Sequence, residues 1–230
     1  MSVDSTRTTA RRTAVVAGAT GLVGRELIIR LLRARRYARV VALTRRPLTL
    51  TDSRLAVVDA AYDRLPTLLS PVTGEDAPVD VFCCLGTTIR AAGSEQAFRR
   101  VDHDYVLALG RWARTVRAHR MVVISSLGAD AGSRVFYNRV KGEMERDLAA
   151  LGLASLVIVR PSLLAGEREE FRVGERLALI ATRPLRALLP ARVRPIAAAD
   201  VAQSMLNAAL ADAPAAIIDS AAMQGAAGTA

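Results

Sequence analysis

The run TAVVAGATGLVGRELIIRLLRA, residues 13–34, restricts what this chain can fold into more than any other part of it. Residues 13–18 are short, apolar and partly β-branched, which reads as a buried strand, and the apolar positions from Leu27 to Leu32 recur at helical spacing. Between strand and helix lies Gly18-Ala19-Thr20-Gly21-Leu22-Val23-Gly24. In that context Gly18 permits a sharp turn, Gly21 lets backbone approach a pyrophosphate, and Gly24 lets the helix pack closely on the strand. The free N–H groups at the helix start favour an anion there. The spacing is G-x-x-G-x-x-G, with Ala19 where the commoner dinucleotide fingerprint has its first glycine. A bound dinucleotide would touch Thr20, Leu22 and Val23 as well as the glycines.

The rest of the chain repeats the alternation of strand and helix. Strands are expected at residues 39–44, 54–59, 79–84, 121–124, 154–160 and 216–219. Helices are expected at 62–69, 94–118, 137–151 and 198–210, with Ser94 as N-cap and Trp112 in the core. This order predicts an α/β fold, one doubly wound parallel sheet with right-handed crossovers, over residues 13–230. Residues 1–12, rich in Thr, Ser and Arg, read as a disordered leader. Arg11-Arg12 before an apolar run resembles a secretory leader, but glycines interrupt that run and no cleavage site follows. Residues 163–195 read as a lid on the substrate side.

Where an NAD site would carry a carboxylate after the second strand, this chain has Thr44-Arg45-Arg46. Two guanidiniums suit a 2′-phosphate, so the expected cofactor is NADP (NADPH). Asp59 at the end of the third strand and Leu85-Gly86-Thr87 after the fourth stand at carboxyl ends of strands, where such sheets bind ligands. Arg160 and Pro161, ending the sixth strand, are further candidate cofactor contacts.

Lys141 is the only lysine among 32 basic residues, and it follows Tyr137 by four positions. On a helix the two share a face, and a cation beside a phenol favours the phenolate, as tyrosine acid–base chemistry needs. Ser125 and Ser126 end the fifth strand and face the same crevice as the glycine turn.

The net charge of +10 would suit nucleic acid or anionic lipid, but the arginines are scattered and aromatic residues make up only 4% of the chain. Nucleic acid is therefore not an expected partner. No apolar run reaches membrane-spanning length, and weak peripheral contact is confined to the mixed basic and apolar segment 176–194. His103 and His119 have no accompanying ligand cluster, so no metal is expected. Cys83 and Cys84 are adjacent and read as unpaired residues of a reducing compartment, which places the protein in the cytoplasm. The two long helices leave the oligomeric state open.

Taken together, GATGLVGRELI, FCCLGTT, AGSEQAFRRVDHDY, ISSLGADAGSRVFYNRVKGEME and RPSLLAGEREEF resemble the short-chain dehydrogenase/reductases. More narrowly they resemble the atypical NAD(P)-binding branch typified by the TIP30 (CC3) oxidoreductase. The resemblance covers most of residues 13–175. It implies a Rossmann-like fold binding NADPH, with Tyr137 as proton donor and Lys141 both tuning it and holding the nicotinamide ribose. It also implies that Ser126 or Ser125 orients the carbonyl of a small-molecule substrate. Asp102 stands where many relatives carry an asparagine of a proton relay. That departure keeps an alternative in view: an NADPH-binding regulatory or sensor protein with little or no turnover.

Overall fold

The computed structural model describes residues 11–73, 77–165, 189–211 and 215–229. Seven strands form one sheet: β1 (Arg12–Ala17), β2 (Tyr37–Thr44), β3 (Leu55–Asp59), β4 (Val79–Cys83), β5 (Arg120–Ile124), β6 (Leu156–Arg160) and β9 (Ala215–Asp219). Their order is β3-β2-β1-β4-β5-β6-β9, and every pairing is parallel. Two short strands, β7 (Leu164–Ala165) and β8 (Ile196–Ala197), pair separately. The helices used below are α1 (Leu22–Arg33), α2 (Leu65–Thr73), α3 (Ile89–Ala92), α4 (Glu95–Arg99), α5 (Tyr105–Thr115), α6 (Phe136–Ala149) and α7 (Ala198–Leu210).

β1 is apolar throughout its interior because both faces are covered, as a central parallel strand requires. Ala14 and Val16 point into a core shared with Leu27 and Leu31 of α1 and Val201 and Met205 of α7. Val15 and Ala17 point the other way, toward Leu65 and Leu69 of α2, Leu109 and Trp112 of α5, and Met144 and Leu148 of α6. The period of two along β1 thus assigns each residue to one of two cores. Chain direction reverses outward from β1, with β2 on one side and β4 on the other. Their carboxyl ends therefore splay apart and leave a crevice where the strand order switches.

Two boundaries differ from expectation. Arg12, placed in the leader by composition, is the first residue of β1 and is buried. Its guanidinium lies 3.0 Å from Asp80 Oδ2, which also accepts from the Tyr37 hydroxyl at 2.9 Å, while His119 Nδ1 is 3.1 Å from Asp80 Oδ1. A fully buried carboxylate needs such partners, so the ion pair draws Arg12 into the domain. The leader's residues 1–10, and most of the lid expected at 163–195, lie outside the described residues.

The second difference is in the long helix expected from Ser94. Its cap is as expected, since Ser94 Oγ accepts from the Ala97 N–H at 3.1 Å. The helix is then interrupted by a π-helical turn at Arg100–Asp104 between α4 and α5. A π turn takes about 4.4 residues rather than 3.6, so residues four apart stay nearly in line. Phe98, Asp102 and Val106 are buried in one such row, and Ala97, Val101 and Tyr105 form the row beside it. Apolar periodicity cannot announce this, because a single inserted residue shifts the register by less than the scatter of the pattern. Trp112 is buried, as expected.

Candidate active site

The glycine turn works chiefly by backbone proximity. Gly18 has φ +78°, a left-handed conformation that side chains resist, and a Cβ there would lie 2.5 Å from the carbonyl oxygen of Cys84. A Cβ on Gly24 would lie 2.2 Å from the Gly18 carbonyl oxygen, so its absence lets α1 start hard against the end of β1. Gly21 has more room, with its nearest neighbour at 3.3 Å from such a Cβ, and it is exposed to the crevice.

A cavity of about 490 Å³ opens at the crevice. Its wall brings together Gly18, Thr20, Gly21, Thr44, Arg45, Arg46, Leu85, Gly86 and Thr87, drawn from three strand ends. Thr44 is buried, and its hydroxyl is engaged with Arg46, accepting from its N–H at 3.0 Å, whereas Arg45 and Arg46 are exposed. Other predicted contacts lie elsewhere. Val23 is core, Leu22 does not reach the wall, and Asp59 is exposed while its neighbour Ala60 lines the cavity. Arg160 donates from Nε to Glu145 of α6 at 2.9 Å, and the Pro161 carbonyl accepts from the Leu127 N–H at 2.9 Å. Sequence reasoning missed Ala60, Tyr62, Cys84, Arg100, Val101 and Tyr105 as wall residues. Tyr62 and Tyr105 stack with centroids 4.5 Å apart and planes at 14°, a pairing between distant segments that no local pattern announces.

Tyr137 and Lys141 sit one turn apart on α6. This helix approaches the loop after β5 so closely that a Cβ on Gly142 would lie 2.1 Å from the backbone nitrogen of Ala131. That loop returns a hydrogen bond from the Asp130 N–H to the Asn138 carbonyl at 3.0 Å. Phe98 packs against Tyr137, with ring centroids 5.5 Å apart. Lys141 has a side chain only 3% exposed, and its Nζ is 2.7 Å from Oδ1 of Asp102, itself 1% exposed. The other carboxylate oxygen accepts the Thr87 N–H at 2.9 Å. Burial opposes the ammonium's charge, but Asp102, with help from Tyr137 and Cys83, outweighs it and raises the pKa above the ordinary lysine value. Burial pushes the neighbouring Cys83 thiol up to about 12, so it stays protonated. Both cysteines are free, Cys83 buried and Cys84 partly so.

Asp102 thus joins two groups that the sequence left separate. It lies behind the Gly86–Thr87 turn, which faces the cavity, and it holds the only lysine. None of Ser125, Ser126, Tyr137 and Lys141 lines the cavity itself. The hydroxyls of Ser125 and Ser126 are buried and have no hydrogen-bond partner among the described residues. Buried polar atoms left over in this way are what a site for a polar ligand requires. The arrangement therefore fits a nucleotide whose adenosine half lies in the cavity and whose nicotinamide half reaches toward α6.

The comparisons agree. The model of the NAD(P)H-binding family matches residues 18–212. Protein FMP52, mitochondrial, of Saccharomyces cerevisiae is 35% identical over 179 residues, 75% of this chain and 76% of that protein. The protein HTATIP2 of Rattus norvegicus is 36% identical over 168 residues, 71% of this chain and 67% of that one. Among solved structures, MoeE5 in complex with UDP-glucose and NAD matches at TM-score 0.67 and 19% identity, over 89% of this chain and 74% of that one. A short chain dehydrogenase from Burkholderia cenocepacia in complex with NADP matches at TM-score 0.64 and 17% identity, over 91% and 89%. Identities this low speak for the fold alone. The cytoplasmic placement inferred from the cysteines does not stand, because the fungal FMP52 relatives are named mitochondrial. Free thiols report a reducing environment, which is not unique to one compartment. The chain belongs to the NAD(P)H-binding family, within the atypical short-chain dehydrogenase/reductase-like group that includes HTATIP2 and FMP52.

Proposed function

We propose that the protein is an NADPH-dependent oxidoreductase that reduces a carbonyl of a small molecule. The observation that carries this reading is the tie made by Asp102 between Lys141 and the Gly86–Thr87 turn of the cavity wall. It links the place where a nucleotide would sit to the one residue pair suited to proton transfer.

In this mechanism a bound reduced nicotinamide supplies the hydride. Gly21 and the start of α1 meet the pyrophosphate, and Arg45 and Arg46 meet the 2′-phosphate that marks NADP. Lys141 donates to ribose hydroxyls and keeps positive charge near Tyr137. Ser126, or Ser125 beside it, donates its unpartnered hydroxyl to the substrate carbonyl oxygen. Tyr137 gives its phenolic proton to the developing alkoxide, and positioned donors of this kind act mainly by stabilising that charge.

The test is steady NADPH oxidation over a panel of aldehydes and ketones. Tyr137→Phe is expected to remove turnover, by at least about 10²-fold, with NADPH affinity nearly unchanged. Undiminished turnover in that variant would sink the assignment. The Asp102–Lys141 pair also favours a second reading. A carboxylate 2.7 Å from the ammonium cancels much of its field, which suits an NADPH-binding regulatory protein with slow chemistry. NADPH binding that changes engagement of a partner, without oxidation on the panel, would select it.

A further inference from the structure

The cavity has an uneven charge that the family likeness does not explain. Three arginines line it, Arg45 and Arg46 from the turn after β2 and Arg100 from the far wall, and no carboxylate among the described residues lines it. Across the molecule the arginines beside this site are mostly paired: Arg99 with Glu143, and Arg160 with Glu145. Arg100 is exposed and has no ion-pair partner among the described residues. A concave wall carrying only guanidiniums concentrates positive potential and calls for a polyanion.

The position of Arg100 follows from the π-helical turn. Arg100 opens that turn, beside the row of Ala97, Val101 and Tyr105 along the cavity. The same turn is fixed to α6 at two points on its other side. Asp102 holds Lys141, and His103 Nε2 lies 3.0 Å from Asp147 Oδ2. The backbone carrying Arg100 is therefore anchored, while its side chain has no competing partner. Facing it across the stacked Tyr62 and Tyr105 are Arg45 and Arg46, where β2 ends. This is the end of the crevice away from Tyr137, where the adenosine half would lie.

We infer that Arg100 is a nucleotide-selecting residue that meets, from the wall opposite Arg45 and Arg46, the phosphomonoester distinguishing NADP from NAD. The inference rests on the NADP reading above and adds to it a third cation from a different element. Guanidiniums approaching a phosphate from two sides can each offer paired N–H donors, which a single loop cannot do alone.

The test uses the full chain and four probes: NADPH and NADH by nucleotide fluorescence, and 2′,5′-ADP and 5′-AMP by calorimetry. Arg100→Ala is expected to weaken NADPH and 2′,5′-ADP about tenfold and NADH and 5′-AMP by less than about twofold. Arg100→Lys, which keeps the charge but not the fork, should fall between the two. Arg100→Glu should bring the preference for NADPH down further than alanine does. Equal losses for the phosphorylated and unphosphorylated probes would overturn the assignment, because Arg100 would then serve the shared pyrophosphate. No loss with any probe would overturn it as well. Failure of the underlying reading shows itself separately, in the unsubstituted protein, as equal affinity for NADPH and NADH. Because Arg100 is exposed, unfolding midpoints of the variants should match the parent, so that binding losses are read on a folded chain.

Discussion

Removing the Asp102 carboxylate tests the centre of this structure directly. Asp102→Ala leaves the Lys141 ammonium, 3% exposed, with no counter-ion at 2.7 Å, and deprives the Thr87 N–H of its acceptor. Breaking a buried ion pair from one side costs about 3–5 kcal/mol. The protein can limit this by releasing the lysine proton. Neutralising a lysine of ordinary pKa 10.5 at pH 7 costs about 5 kcal/mol, which sets a ceiling of the same size. For a chain of this length such a loss lowers the melting temperature by about 6–20 °C.

The pH dependence separates a stranded charge from a mere cavity. In the parent, the folded state holds the Lys141 proton more tightly than the unfolded chain does. That contribution is complete below about pH 10.5 and is lost as pH rises through the raised folded value. In Asp102→Ala the folded pKa falls below 10.5 instead, so the unfolded chain binds the extra proton and stability climbs toward that pH. Urea unfolding of both proteins at pH 7, 8.5 and 10 should therefore show the deficit narrowing, by up to about 1.4 kcal/mol per pH unit. Comparing the two at equal pH cancels every other titrating group. Asp102→Ala combined with Lys141→Met should recover part of the loss, since no charge is then buried. A deficit under about 1 kcal/mol, or one that is flat with pH, would refute the claim that this pair is buried and mutually dependent.

Three other outcomes follow from the geometry. Arg45→Ala should weaken NADPH binding about tenfold and NADH binding little, measured by fluorescence titration; equal losses would count against a 2′-phosphate contact. Gly142→Ala places a Cβ 2.1 Å from the Ala131 nitrogen and should cost about 1–3 kcal/mol in urea unfolding as α6 is pushed from the loop, with Lys141 displaced; full stability would show the contact to be soft. The parent should lose stability above about pH 9, because the fold holds protons that the unfolded chain releases, on Cys83 up to about 12 and on Tyr37, Tyr62 and Lys141 above their ordinary values. Constant stability from pH 8 to 11 would contradict that.

Much of the fold could be read from local patterns, because its information is local. Burial on both faces writes continuous apolar strands such as β1, and the turn between β1 and α1 needs residues without a Cβ at Gly18 and Gly24. The cationic turn at Arg45–Arg46 and the shared face of Tyr137 and Lys141 are equally short-range. The mid-helix Gly142 carried a signal that went unused, since glycine weakens a helix by about 1 kcal/mol and is placed there only when something lies against it. The features that escaped are products of tertiary contact. Composition put Arg12 in a leader, and only Asp80, far along the chain, makes it the first residue of the sheet. The stacked Tyr62 and Tyr105 come from opposite sides of the crevice.

Asp102 is the instructive case, because its identity was noticed and its consequence was not. Read against an asparagine, an aspartate at that place looks like a damaged relay. Read against its surroundings, it is the charge that allows a lysine to be buried in a chain otherwise furnished with arginine. Lysine is a compact ion, strongly hydrated and costly to enclose, so its retention at Lys141 demands a partner as deeply enclosed as itself. The π-helical turn supplies that partner by holding the row of Phe98, Asp102 and Val106 inward while Val101 and Tyr105 meet the cavity. One irregular turn therefore sets both the wall against which a nucleotide would rest and the charge state of the amine beside Tyr137. A change in occupancy of the cavity that moves Thr87 must also move Asp102, and with it the proton held on Lys141.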